Sequence, residues 1–298
     1  TSFVILAHLT IYLKNTGGGH FKALDIFNVM GGMGVLLFFF VSGYGLYKGY
    51  SCKKIGVQFW KKRIINVYIP CIIIQFVFYI CETVITQKFD IGVLTINSLF
   101  GAWFIDVILI QYFIFFITWI IAGGSHKKWI VSSFLLSVVV AFIFWIREFN
   151  PRWYNGLMLF PFGMLIAYLE KKIIPPIQKK WLIFFIVTII LSGISGIVFT
   201  LFKGTTGWIN VVKTFSGMCL SILTCIIFMK VKFNSKIMQY IGKRSLYFYL
   251  VHLNLLLLLG MFKNLQEISV CYLVLILTFL ISSGLYWIHS KIISIGWS

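Results

Sequence analysis

His8 and His252 sit in runs so apolar that a lipid bilayer is their natural setting, Thr1 to Leu9 and Leu246 to Leu259. An ionisable side chain at membrane depth costs a few kcal/mol or more, so it marks a functional site by default. Imidazole is also the side chain best suited to moving a proton near neutral pH. On a helix Thr1, Ile5, His8 and Tyr12 share one face by spacings of three and four, and Ser245, Tyr249 and His252 do the same. Each histidine is the centre of a polar stripe that should face protein or water rather than lipid. A neutral imidazole so placed accepts a proton from a hydroxyl. It serves equally well as an interhelical hydrogen bond, and for either histidine alone both readings stand. The catalytic reading requires the two rings to meet in one hydrated chamber within the membrane.

Three further groups have chemical potential. Gly34 to Tyr44 is a bulky aromatic run ending in the small polar break Ser42-Gly43-Tyr44. Ser42 has no base beside it in sequence and reads as a packing or backbone-bonding residue more than a nucleophile. Lys61, Lys62 and Arg63 open the run towards Pro70, with Asn66 placed by helical spacing on the face of Arg63. Arginine grips phosphate bidentately and lysine acts as a point charge, so a basic mouth here suits an anionic cosubstrate with several phosphates. A plain positive-inside anchor explains the same residues. Asp106, three residues after Trp103, is one of only seven acidic residues. It can orient a histidine, bind a sugar hydroxyl, or sit as a solvated cap near the surface.

The elements that must position these groups are membrane helices. Of the 298 residues 60% are hydrophobic and 11% charged, and the mean hydropathy is +0.97. A soluble domain of this size has more polar surface to show water. Apolar runs, most of them near the length a hydrocarbon core demands, fall at 1–14, 28–47, 64–86, 99–122, 128–146, 153–169, 181–202, 207–229, 245–262 and 268–289. The expected fold is an all-α integral membrane bundle of about ten transmembrane helices. The first run is too short to cross and the sequence opens at Thr1, so its helix is expected to begin upstream. Short connections predict one membrane domain over 1–298. The net charge of +19 does not point to nucleic acid, because eighteen of the twenty-six basic residues fall in alternate loops and the tail. By the positive-inside rule those loops and both termini are cytoplasmic, and most of the lysines need only touch anionic lipid. Gly45 and Gly49 form a GxxxG whose simplest use is close helix packing. The six cysteines lack CxxC spacing, so neither a disulfide framework nor a metal site is expected. Lysine outnumbers arginine 22 to 4, a bias that hints at a low-GC bacterium.

Taken in order, these pieces resemble acyltransferase family 3, the polytopic membrane O-acyltransferases that modify bacterial cell-surface glycans. The resemblance spans nearly the whole chain. It runs from His8 through Gly34, Val35, Phe38, Phe39, Ser42, Gly43 and Tyr44 to Arg63 and Pro70, then Trp103 and Phe104, Phe162 to Met164, and Ile241 to His252. It implies a multi-pass enzyme of the plasma membrane that transfers an acyl group, most often acetyl, from cytoplasmic acetyl-CoA to an external or membrane-linked hydroxyl. Family members that modify peptidoglycan often have an external hydrolase-like module. None is recognisable here, so the implied acceptor is a capsular polysaccharide or exopolysaccharide. His8 is then the general base or a transient acyl carrier, with His252 and Asp106 as its catalytic companions. Arg63, Lys62 and Lys61 would hold the CoA phosphates, while Ser42, Tyr44, Trp103, Tyr249 and Ser245 would line the passage. The expected partners are acyl-CoA, a glycan and the lipid bilayer, with room left for a homo-oligomer. One rival is a transporter or flippase for lipid-linked sugars, which would show pseudo-repeats and broken helices. Another is the second large class of membrane-bound O-acyltransferases, which the SGY and late Tyr-Leu-Val-His features fit poorly.

Overall fold

The computed structural model describes residues 1–17, 24–88, 103–201, 208–231, 235–262 and 264–296. The glycine run beyond Gly17 and most of the loop expected over 87–98 lie outside them. The described residues are helical and contain no strand. The long helices are α1 (Ser2–Thr16), α2 (Asp25–Tyr50), α4 (Ile69–Thr86), α5 (Trp103–Ala122), α6 (His126–Ile146), α7 (Leu159–Lys179), α8 (Trp181–Leu201), α9 (Trp208–Lys230), α10 (Lys236–Gly260) and α11 (Glu267–Gly296). The short α3 (Val57–Arg63) joins α4 through a π-helical turn, Ile64–Tyr68. Helix starts follow their sequence signals: Ser125 caps α6 by accepting from the Lys128 N–H, and Ser235 caps α10 by accepting from Met238. Gly17 ends α1 in the left-handed region that glycine adopts without strain.

Among the described residues, helices lie at all ten expected positions, and seven segments are long and apolar enough to cross a bilayer. The other three fall short for separate reasons. Helix α1 has only 15 residues, α7 carries Glu170, Lys171 and Lys172 through its middle, and α10 carries Lys243, Arg244, His252 and Asn254. Large apolar side chains on the crossing helices are outward-facing, among them Phe142, Ile183, Ile190, Ile194 and Ile276. That surface is suited to lipid.

The chain divides into two compact units. One comprises Thr1–Gly34, Trp60–Ala102 and Asn234–Ser298. In it α10 and α11 form a hairpin against which α1 packs, and α4 lies along α10. Gly31 allows α1 its close approach, since a methyl there would come 2.5 Å from Ala7 Cβ. Proline shapes the run into α4. Pro70 has no N–H for the Asn66 carbonyl, and its ring crowds that carbonyl. The wider π turn over Ile64–Tyr68 absorbs the mismatch. Arg63 and Asn66 were expected on one α-helical face. Because the turn between them is π, a three-residue spacing there no longer stacks side chains as it does in an α-helix.

The second unit comprises Val35–Phe59 and Trp103–Phe233. Its helix pairs are tied by polar bonds inside an apolar surround. Thr118 meets Ser133 at 2.8 Å, Trp129 donates to the Phe115 carbonyl at 3.0 Å, and Ser216 donates to Ser195 at 2.9 Å. Helices α2 and α7 meet backbone to backbone. A methyl on Gly43 would strike the Phe160 carbonyl, and one on Gly163 would strike the Phe40 carbonyl. Gly45 and Gly49, the GxxxG pair expected to pack, face open space within the described residues. Gly43→Ala and Gly163→Ala should therefore each destabilise the protein by about 1–3 kcal/mol, read as a lower thermal midpoint in detergent. Gly45→Ala should leave the midpoint in place. Equal behaviour of all three would show that glycine does not set this approach.

Candidate active site

The first unit brings its two membrane-depth histidines into direct contact. His252 is 1% exposed, between buried Val251 and Leu255 on α10. Its Nδ1 lies 2.9 Å from the Phe248 carbonyl oxygen one turn earlier. A carbonyl can only accept, so that Nδ1 carries the proton. In a neutral ring the opposite nitrogen, Nε2, then holds a lone pair. His8 Nδ1 lies 2.8 Å from that Nε2, and for this to be a hydrogen bond His8 Nδ1 must be the donor. The chain of donors therefore runs from His8 Nδ1–H to His252 Nε2, and from His252 Nδ1–H to the Phe248 carbonyl. It leaves the lone pair of a neutral His8 on Nε2, the nitrogen with basic character.

The ring geometry agrees. The two planes are inclined by only 8° with centroids 5.1 Å apart. Nitrogens at 2.8 Å are closer than stacked faces approach, about 3.5 Å, so the parallel rings meet edge to edge. Tyr249 flanks the pair, its ring 5.8 Å from that of His252. Ser245 lies two turns below His252 on the same face of α10. Tyr12, one turn beyond His8, reaches Gly260, where an added methyl would come within 3.2 Å of the tyrosine ring. The contacts at His8 and Tyr12 climb α10 together, so α1 and α10 run in the same sense.

The other sequence-selected residues divide between the units. Lys61, Lys62 and Arg63 end α3 in the unit that holds the imidazole pair, with both lysines exposed and Arg63 half-buried. Ser42, Tyr44, Trp103 and Asp106 belong to the second unit. There Trp103 opens α5 and packs edge-on against Phe104 at 6.3 Å, and Asp106 lies in the first turn of the same helix. Tyr44 lies beside Glu170, which pairs with Lys48 at 2.5 Å.

Sequence reasoning missed two further histidines with partners. Tyr47 meets His126 Nδ1 at 2.9 Å in the second unit, and Tyr247 bonds His289 Nδ1 in the first. The Gly-Gly-Ser run before His126 signals a helix start, but nothing in it points to Tyr47. The Phe248 carbonyl was equally invisible, because a backbone acceptor leaves no mark in the residue type.

The acyltransferase 3 family's model, an acyltransferase domain, matches residues 1–287. The chain belongs to that family. The match takes in the whole second unit and the first as far as residue 287, so it includes His8 and His252 but not His289. No curated protein and no solved structure gives a match. As a member of the acyltransferase 3 family with several apolar helices, this is a multi-pass membrane acyltransferase. The proton order derived for its imidazole pair is open to direct measurement. Solid-state NMR on protein labelled at histidine should report the proton on Nδ1 of both rings. A proton on Nε2 of His8 would reverse the assignment.

Proposed function

We propose that this membrane acyltransferase moves an acetyl group from cytoplasmic acetyl-CoA to a hydroxyl of a cell-surface polysaccharide, either capsule or exopolysaccharide. The observation that carries the reading is the hydrogen-bonded pair of His8 and His252, with the proton order leaving Nε2 as the base of His8. A base held by a second group that fixes its tautomer is the arrangement that activates a hydroxyl.

In the proposed reaction His8 Nε2 takes the proton of the acceptor hydroxyl as its oxygen attacks the thioester carbonyl. The carbon–oxygen bond forms, the carbon–sulfur bond breaks, and the thiolate leaves. The proton passes from His8 to that sulfur, so the products are the O-acetyl ester and free CoA. His252 would stabilise the imidazolium that His8 becomes, by accepting from its Nδ1–H. Arg63, Lys61 and Lys62 would hold the donor phosphates. Asp106 would contact the acceptor, with Ser42, Tyr44, Trp103, Tyr249 and Ser245 lining the passage. The basic loops support a cytoplasmic donor side and a plasma-membrane location in a bacterium.

His8→Ala should cut transfer of labelled acetyl from acetyl-CoA to isolated polysaccharide by about a hundredfold or more, at unchanged protein abundance. Label that stays in the thioester with wild-type protein in nanodiscs would favour the transporter reading instead. Arg63→Gln should raise the KM for acetyl-CoA several-fold with little change in kcat. A change confined to kcat would remove Arg63 from donor binding.

A further inference from the structure

We propose that Arg244, where α10 and α11 pack together, is the grip of an anion site that takes a phosphate group. Its guanidinium carbon lies 3.5 Å from the centroid of the Tyr240 ring and 4.5 Å from that of Tyr286. Two aromatic rings thus lie against the cation. The rings are themselves held. Tyr240 donates to Ser283 at 2.7 Å and stacks on Phe279. Tyr286 packs edge-on against Tyr247, which is bonded to His289.

A guanidinium donates hydrogen bonds through its in-plane edges, whatever packs on its faces. One nitrogen is used, since Nη1 donates to the Tyr240 carbonyl at 3.2 Å. The edge formed by Nε and Nη2 is left, which is the side-on fork that matches two oxygens of one phosphate. Nε is buried and meets no acceptor among the described residues. Arg244 also has no carboxylate partner among them. Leaving a buried N–H unmet costs about 1–3 kcal/mol. A purely structural latch between α10 and α11 uses the faces of the guanidinium and gives the edge nothing to do. An oxyanion answers both the charge and the unmet N–H.

Position favours a long ligand. Arg244 precedes His252 by eight residues on α10, a rise of about 12 Å. A donor with phosphates at one end of a flexible arm and a thioester at the other is built to span such a gap. The donor assignment rests on the acetyl-CoA reading above. A lipid headgroup at the basic end of α10 offers the same phosphate chemistry, and the experiment separates the two.

CoA without an acyl group is titrated calorimetrically into the full chain in nanodiscs of phosphatidylcholine, so that no turnover is needed. Arg244→Gln should weaken CoA binding by about tenfold to a hundredfold. Arg244→Lys keeps the positive charge at this position but lacks the planar fork and should lose about tenfold. Native mass spectrometry from discs containing phosphatidylglycerol supplies the second arm. CoA binding that falls in both variants supports the donor as the source. Phosphatidylglycerol retained by wild type and lost in both variants, with no CoA binding at all, supports the anion site with a headgroup as its ligand. That result would count against acetyl-CoA as donor. Wild-type and variant proteins that hold CoA and lipid alike would overturn the anion site and leave the acyl-transfer reading untouched.

Discussion

A polar atom inside hydrocarbon must find its partner within the protein, because no water is there to supply one. Hydroxyls meet this demand locally. Thr10 bonds the Leu6 carbonyl, Thr188 that of Phe184 and Thr224 that of Leu220, each one turn back on its own helix. Imidazole cannot be satisfied that way, since its two nitrogens lie on different sides of the ring. For His252 one carbonyl of α10 serves Nδ1, and Nε2 has to be served from another helix. This need ties α1 to α10 across 244 residues of sequence, and it gives the imidazole pair a defined proton order.

Packing in lipid follows the same economy of contact. Lipid tails are as apolar as leucine, so helices associate through close van der Waals fit and interhelical hydrogen bonds. Gly43 and Gly163 let α2 and α7 touch along their backbones. Both lie in segments that carried the sequence resemblance, Ser42-Gly43-Tyr44 and Phe162-Gly163-Met164. Here they build the frame. The polar neighbour Tyr44 lies beside Glu170, which pairs with Lys48 on the helix of Tyr44. The charged middle of α7 thus has an internal use, and that charge is one reason the helix falls outside the plainly membrane-crossing set.

Irregular backbone appears where proline forces it. A π turn lies between Arg63 and Pro70, so the spacing from Arg63 to Asn66 is not that of an α-helix. A strictly α-helical reading of that run puts both side chains on one phosphate-facing stripe. The observed turn leaves Arg63 as the member at the helix end.

Much of the fold was legible before any coordinates. Apolar runs located the helices, seven of which among the described residues are long and apolar enough to cross, since the bilayer demands one property over a fixed distance. Spacing of three and four residues put His8 and His252 on polar stripes, since a helix repeats every 3.6 residues. What spacing could not supply was a partner. Tyr47 for His126 and Tyr247 for His289 depend on which helices lie side by side. The proton order of the imidazole pair depends on the Phe248 carbonyl, and every residue has a carbonyl. The residue types by themselves determined a membrane helical protein with two misplaced imidazoles. Only the tertiary structure decided that they meet and which nitrogens carry the protons, because a hydrogen bond is set by distance and direction between helices that sequence spacing does not encode.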